Sequence, residues 1–404
     1  MKLIEVKTKK QRKEFLKVPK KLYKDDNTWV CPLDNQIENI FDPQKNSSFK
    51  EGDASRWILK DEKNKLIGRI AAFYIKKRAN VNRQPTGGIG FFESIDNKDV
   101  AFLLFDKAKE WLKERGMEAM DGPINFGEND SHWGLLVEGF THPGFGMPYN
   151  KPYYQKLFEA YGFKNYYYQY SYHRNISVVK VFPDRFMKIA DWVSKKPGYR
   201  FKHFSFKDPE SFIADMVEIY NSTWASFKED FTPVEPEKFR ESFKKAKLFM
   251  DEELIWFAYF NEKPVSFFIA LPDLNQILKH LNGKLNLWSI MKFFYYKYTH
   301  EMTRVRGIVA GVIPSYQNSG IESAIFKHFF EVFKRKTYYK ELELSWVGDY
   351  NPKMRAIYEA IGAIQAKTHI TYRYLFDPNA EFIRYKDELD KLLKKKSPEE
   401  KNNK

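Results

Sequence analysis

The chain has 404 residues, too many for one ordinary hydrophobic core and enough for two of about 150 to 200 residues each. Hydrophobic residues at 43% and aromatics at 17% exclude a disordered chain. No apolar run approaches the roughly 18 residues a spanning helix needs, and the start MKLIEVKTKKQRKEF lacks an apolar leader core, so a cytoplasmic location is expected.

The formal net charge of +15 selects for polyanionic partners: CoA phosphates, anionic lipid headgroups or nucleic acid. The one cysteine, Cys31, stands in WVCPLDNQ without the His and Asn context of a thiol nucleophile and reads as structural. The tract Lys9 to Lys24 carries eight Lys or Arg around Phe15, Leu16, Val18, Leu22 and Tyr23. It reads as an amphipathic helix, either simply solvated or resting on a membrane surface.

Next come a hairpin over 56–61 and 65–74, a strand over 88–93 and a helix over 99–115 with apolar spacing at Val100, Leu103, Leu104, Ala108 and Leu112. The polar and aromatic stretch GPINFGEND, WGLLVEGF and MPYNKPYY follows. Then LFEAYGF leads into NYYYQYSYH, read as helix, glycine stop and strand. A helix within 179–199 links to a second series of the same order: a hairpin over 253–260 and 264–271, a strand over 307–313 and a helix over 320–334. IYEAIGA and THITYRYLF close that series. The repeat predicts two units of one topology, 1–178 and 200–378, followed by a basic helix and a disordered tail over 379–404. Before the second CoA-type strand, NGKLNLWSIMKFFYYKY over 282–298 places aromatics among basic residues. That helix could lie on an anionic membrane, line an acyl tunnel or be buried between the units.

A strand that enters a helix through a polar turn exposes N–H groups and a helix dipole to an anion. The second unit has such a turn in VAGVIPSYQNSGIESA, whereas the first runs GGIGFFESIDNKD into its helix without one. The eight histidines show no metal-ligand spacing, and HExxH, G-x-S-x-G and Walker-type loops do not occur, so neither a metal nor nucleotide hydrolysis is expected.

Two of these segments resemble the GNAT superfamily. Val312-Ile-Pro with Gln317-Asn-Ser-Gly-Ile-Glu322 is similar to its acyl-CoA segment, V-x-P then Q/R-x-x-G-x-G/A, with Glu322 in place of the small last residue. Asn351 through Gly362 is similar to the element N-x-x-A-x-x-L-Y-E-x-x-G-F. The resemblance implies a mixed α+β fold of two tandem GNAT domains, each a mostly antiparallel sheet flanked by helices. It implies pantetheine at Val312 and Ile313, pyrophosphate at Gln317, Asn318, Ser319, Gly320 and Ile321, Asn351 near the CoA arm, and Tyr358 as the thiolate-protonating acid. In the first unit Phe158 stands where Tyr358 stands in the second, so that unit is expected to have lost the acyl-CoA site.

The general base stays open: Glu343 on the strand before Asn351 is the first candidate, with Asp349, Glu93, Glu128 and Asp130 as others. Asn125, Asn129, Asp130, Tyr149 and Asn150 are the expected acceptor-pocket residues. Over roughly residues 55–376, the run GPINFGEND, GLLVEGF, MPYNKPYY, GVIPSYQNSGIE and ELSWVGDYNPKMRAIYEAIGA resembles the bacterial ceramide synthase-like family. That likeness implies N-acylation of an amine, a sphingoid base in the family's characterised activity, with long-chain acyl-CoA as co-substrate. Two alternatives remain: a peptidoglycan-type aminoacyl transferase using charged tRNA, and a non-catalytic GNAT-like binding protein.

Overall fold

The computed structural model describes residues 1–81, 83–128, 131–177, 183–225, 233–299 and 302–396. The first half contains strands β1 (Lys2–Glu5), β2 (Gly52–Lys60), β3 (Leu66–Ile75), β4 (Thr86–Ser94), β5 (Ala119–Gly122), β6 (Leu135–Glu138) and β7 (Lys164–Asn175). Its helices are α1 (Lys9–Leu22), α2 (Asp34–Ile40), α3 (Lys76–Ala79), α4 (Lys98–Lys113) and α5 (Tyr154–Tyr161). The second half contains β8 (Tyr199–His203), β9 (Ile255–Phe260), β10 (Lys263–Pro272), β11 (Arg304–Val312), β12 (Glu341–Gly348) and β13 (Ile364–Leu375). Its helices are α6 (Asp184–Lys195), α7 (Pro209–Ala225), α8 (Pro236–Ala246), α9 (Asn275–Leu278), α10 (Leu287–Tyr298), α11 (Ile321–Arg335), α12 (Pro352–Ala360) and α13 (Tyr385–Lys396). The glycine stops behave as their place requires: Gly162 and Gly362 have φ of 107° and 75°, and end α5 and α12.

All described strands belong to one mixed sheet in the order β1-β2-β3-β4-β5-β13-β7-β12-β11-β10-β9-β8, with β6 paired to β13. The final strands of the two halves are exchanged. β7, from the first half, pairs antiparallel with β12 from Glu341↔Asn175 to Gly348↔Gln169. β13, from the second, pairs antiparallel with β5 from Tyr372↔Gly122 to Leu375↔Ala119. The two then pair with each other at the centre of the sheet. Their side chains are largely buried, so both read as strands from sequence, but burial alone does not name a neighbour.

Each half keeps its own core. In the first, α4 and α5 pack Leu104, Phe105, Leu157 and Phe158 against β3 and β4; in the second, α11 packs Ile325, Phe326, Phe329 and Phe330 against β10 and β12. The connecting helix α6 is not a free linker: Phe186 and Val193 belong to the second core, with the Phe186 ring 6.3 Å from that of Phe326. The basic tract forms α1, capped at Thr8 by a reciprocal bond with Gln11. Phe15 and Val18 pack onto Ile58, Leu66, Ala71 and Phe91, so its apolar face is consumed in folding rather than offered to a membrane. Helix α13 is tied down by Tyr166 Oη donating to Glu388 Oε2 at 2.6 Å, and the tail from 397 lies outside the described residues.

Candidate active site

Strands β11 and β12 start as a parallel pair and then part. Register runs through Arg304↔Glu341, Val305↔Leu342 and Arg306↔Glu343, although β11 continues to Val312 and β12 to Gly348. Ile308, Val309, Ala310 and Val312 on one side and Ser345 to Gly348 on the other line a cavity of about 3150 Å³ that is open to solvent. Where the paired part of the strands ends, Glu343 is buried at 1% exposure behind the cavity wall, with Arg304 Nη1 at 3.2 Å and Lys367 Nζ at 3.0 Å. Arg304 is also bonded to Asp273 Oδ2 at 2.7 Å and to the carbonyls of His142 and Pro143 at 3.2 Å.

The turn after β11 leads Gln317, Asn318, Ser319 and Gly320 along the cavity wall into α11. Asn318 and Gly320 have φ of 63° and 83°. This left-handed pair turns the chain so that α11 starts at the cavity with no side-chain cap on its first N–H groups. A Cβ on Gly320 would also lie 2.9 Å from Ile189 and 3.1 Å from Val193 of α6, so the residue must be small for the helix to dock. Uncapped N–H groups at a helix start facing a cavity make an anion site. Glu322, in the first turn and also on the wall, has its carboxyl pushed up by burial.

Tyr358 projects from α12 into the same cavity at 4% exposure, its ring edge-on to Tyr172 at 5.4 Å. Burial, and secondarily Tyr172, raises its hydroxyl well above the usual phenol range, so it stays protonated at neutral pH. Tyr172 is fixed by donating to Glu359 Oε1 at 3.1 Å and accepting from Arg355 Nε at 3.2 Å.

The first half repeats the parted strands but fills them. Pairing of β4 with β5 ends at Gly88↔Asp121. Ile124 then enters the gap and donates its N–H to Ile89 O at 2.8 Å. A Cβ on Gly90 would lie 2.2 Å from Ile124 O, so only glycine admits this plug. The start of α4 is capped by Asn97, which accepts from Val100 N at 3.0 Å, and carries Asp99 in its first turn, leaving no opening for a phosphate.

No protein-family model matches the chain. It is 28% identical over 379 residues to Protein YghO of Escherichia coli (strain K12), covering 90% of this chain and 93% of that one. It is 24% identical over 385 residues to the bacterial ceramide synthase of Caulobacter vibrioides, covering 92% and 96%. Among solved structures, a tandem GNAT protein from the clavulanic acid biosynthesis pathway superposes with a TM-score of 0.54 at 8% identity, over 94% of this chain and 99% of that one. A GCN5-related glucosamine N-acetyltransferase region in a fungal multi-domain GH3 beta-N-acetylglucosaminidase gives 0.57 at 11% identity, over 92% of this chain and 38% of the other. The chain has the fold of tandem GNAT proteins.

Within this tandem GNAT fold the residues expected at the site divide by what they touch. Val312, Gln317, Asn318, Ser319, Gly320, Asn351 and Tyr358 share the cavity wall. Ile313 and Ile321 do not: the Ile313 N–H is spent on Val265 O at 3.0 Å, and the Ile321 side chain lies in the core. Val312 O accepts from Gln317 Nε2 at 3.3 Å, which braces the turn. Asn351 Oδ1 caps α12 by accepting from Met354 N at 3.2 Å, a role that explains the residue locally.

Glu343 is held by two cations away from the cavity wall, so its geometry is that of a strand clamp and not of a free base. Asp349 is paired with Arg384 at 2.8 Å, and Glu128 is an exposed partner of Arg78 at 3.4 Å. Glu93 alone of the named and described carboxylates lines the cavity from a buried position. Of the acceptor set, Asn125, Tyr149 and Asn150 line the cavity, whereas Asn129 and Asp130 lie outside the described residues. Asn150 satisfies both backbone groups of Leu136 at 2.7 and 3.0 Å, and Tyr149 donates to Asp26 at 3.2 Å. Both are therefore bracing residues of the wall. Cys31 is buried and its thiol is pushed up to about 11 by that burial, as suits a structural cysteine. Among the described residues no cluster of three or more His, Cys, Asp or Glu could hold a metal.

Sequence reasoning gave no site role to Arg69, Tyr23 and Tyr154, which bond Glu93 from three different segments, or to His132, which lies on the same cavity wall. No spacing rule links such distant positions. Only the stretch YNKPYY drew attention to Tyr154.

Proposed function

We propose that the chain is an N-acyltransferase that moves an acyl group from long-chain acyl-CoA to a lipidic amine of the sphingoid type. The observation that carries this reading is the coincidence, on one cavity, of the parted strands β11 and β12, the uncapped start of α11 and the protonated hydroxyl of Tyr358. Pantetheine would lie between the strands with its pyrophosphate at Asn318 to Gly320, which brings the thioester toward Tyr358. The amine attacks the carbonyl carbon, the tetrahedral intermediate collapses and the C–S bond breaks. Tyr358 gives its hydroxyl proton to the departing sulfur, the proton lost from the attacking nitrogen passes to solvent in the open cavity, and Tyr358 is re-protonated from there.

The second half carries the donor site, while the plugged first half supplies acceptor wall. An apolar branch of the cavity lined by Trp224, Met250, Ile269, Leu271, Leu278 and Leu285 suits hydrocarbon chains. Helix α10 follows Leu285 directly and is not buried between the halves: Leu287 is 73% exposed, Trp288 71%, Tyr295 64% and Tyr298 73%. With Lys284, Lys292 and Lys297 beside them, these residues favour docking on an anionic membrane surface at the cavity mouth, where a lipidic amine would enter. Among the described residues no helix is long and apolar enough to cross a membrane.

The similarity to the bacterial ceramide synthase supports the sphingoid base as first acceptor to try. The test is release of free thiol from palmitoyl-CoA by the intact protein with sphinganine. Sphinganine-dependent release supports the reading. Activity absent with every long-chain amine, or obtained only with charged tRNA, overturns it.

A further inference from the structure

Arg69, Glu93, His132 and Tyr154 line the cavity wall of the first half, with Tyr23 bonded to Glu93 behind it, and the reaction above uses none of the five. Glu93 at the end of β4 is 8% exposed. Its Oε2 accepts from Tyr154 Oη at 2.7 Å and Tyr23 Oη at 2.9 Å, and its Oε1 meets Arg69 Nη2 at a long 3.4 Å. A carboxylate offers about four acceptor positions, so Oε1 keeps capacity for another donor. Burial raises the Glu93 carboxyl above its ordinary range against the opposing effect of Arg69. Arg69, 6% exposed, also donates from Nη1 to Phe15 O at 3.1 Å, while its buried Nε–H has no partner. An unpaired buried donor beside a carboxylate with spare capacity is unfavourable unless something completes the set.

The fifth member is His132. Its backbone has φ of 54°, as does that of Phe91, and the two rings face each other at 4.9 Å. Non-glycine residues in this region store strain that persists at ligand-binding walls. Burial and Arg69 hold the imidazole near a pKa of about 4, so it is neutral and can both donate and accept. Arg69, Glu93 and His132 all line the cavity that contains the parted strands. The next residue, Trp133, places its ring 5.5 Å from Trp346 of β12, so the cluster adjoins the donor site.

We propose that Arg69, Glu93 and His132 form the polar end of the acceptor site and select a primary amine with a hydroxyl on the neighbouring carbon. The amine donates to Glu93 Oε1. The hydroxyl oxygen accepts from Arg69 Nε–H, and His132 takes the hydroxyl proton or a second hydroxyl. Tyr23 and Tyr154 are positioning residues that aim the carboxylate. This assignment rests on the acyl-transfer reading above for the identity of the acceptor and adds to it the residues that recognise the head of the amine.

Calorimetric titration of the intact protein with a soluble short-chain 2-amino-1,3-alkanediol, and with the matched 2-aminoalkane, tests the site without turnover. The diol should bind about 10- to 100-fold more tightly than the monoamine, the size expected for hydrogen bonds to charged groups. Glu93→Gln should lose affinity for both amines by a similar factor. His132→Gly, whose backbone suits the positive φ, should reduce the diol preference at least threefold, leaving the part due to Arg69, while sparing monoamine binding. Equal affinity for the two amines in the wild-type protein, or wild-type behaviour in the His132→Gly protein, overturns the assignment, and failure of the wild type to bind either amine does the same. If diol binding depends on these residues but no thiol is released from palmitoyl-CoA, the acyl-transfer reading fails and the binding site stands.

Discussion

Replacing Tyr358 by Phe removes one oxygen and leaves a ring whose packing is already set by its edge-on contact with Tyr172 at 5.4 Å. Phe158, fully buried at the equivalent place in the first half, is a natural instance of the same ring without the hydroxyl. The expected change in stability is therefore small, about 1 kcal/mol or less. The kinetic effect follows from acidity. A thiol leaves as thiolate with an ordinary pKa of about 8.5, while the Tyr358 hydroxyl is raised well above about 10. Full proton transfer from the phenol is uphill, and its benefit is that of a strong donor aimed at the developing thiolate. A loss of about 10- to 100-fold in kcat is expected, or about 1.4 to 2.7 kcal/mol of barrier. KM for acyl-CoA should stay within about twofold, because the hydroxyl acts on the transition state and not on the bound donor. The assay is free-thiol release under saturating acyl-CoA, with thermal unfolding as the folding control. An unchanged kcat, or a rise in KM that accounts for the whole loss, refutes this role for Tyr358.

Other expectations concern the turn before α11, the plug, the exposed helix α10 and the exchanged strands. The Glu322 carboxyl is raised by burial, so it gains its proton as pH falls into that raised range and stops repelling the pyrophosphate. Acyl-CoA affinity measured by titration should tighten as pH is lowered from neutrality toward the ordinary carboxyl range, more in the wild type than in Glu322→Gln; identical slopes refute this. Gly90→Ala should cost about 1 to 3 kcal/mol in denaturant unfolding, because its Cβ would meet the Ile124 carbonyl at 2.2 Å. Leu287→Ser with Trp288→Ser should abolish sedimentation with anionic vesicles without shifting the melting temperature, both residues being over 70% exposed. The wild-type binding should weaken in high salt, where surface charges are screened within about 3 Å at 1 M; salt-independent binding contradicts the electrostatic part. Ending the chain before β13 removes a strand from the centre of the sheet, so both halves should lose structure in circular dichroism. Retention of a native first half would show that the exchange is dispensable.

Much of this architecture was legible in the sequence for local reasons. The hairpins over 56–61 and 65–74 and over 253–260 and 264–271, the apolar spacing of α4 and α11 and the two glycine helix stops depend on near neighbours, and the elements formed within a few residues of where their patterns lie. The exchange of β7 and β13 was not legible. Both strands are rich in aromatics and neither alternates buried with exposed positions, so neither carries a periodic mark of its partner. The same limit applies to the site. Asn318 to Gly320 could be singled out because a turn before a helix has a local signature, whereas the part played by Glu343 depended on Arg304 and Lys367, brought in by β11 and by the exchanged β13. Glu93 could be named only as one of several carboxylates, and Arg69 and His132 were missed, for the same reason, since β3, β4 and the loop before β6 bring them to one cavity wall only in the folded sheet.

The location of the acyl-CoA site in the second half alone is tested most directly by amide hydrogen exchange of the intact protein with and without a non-hydrolysable palmitoyl-CoA analogue. Protection is expected in the segments 307–323 and 345–358, which hold the parted strands, the phosphate turn and Tyr358, with the equivalent segment 88–100 of the first half unchanged. Protection of 88–100, or no change at 317–323, would contradict it.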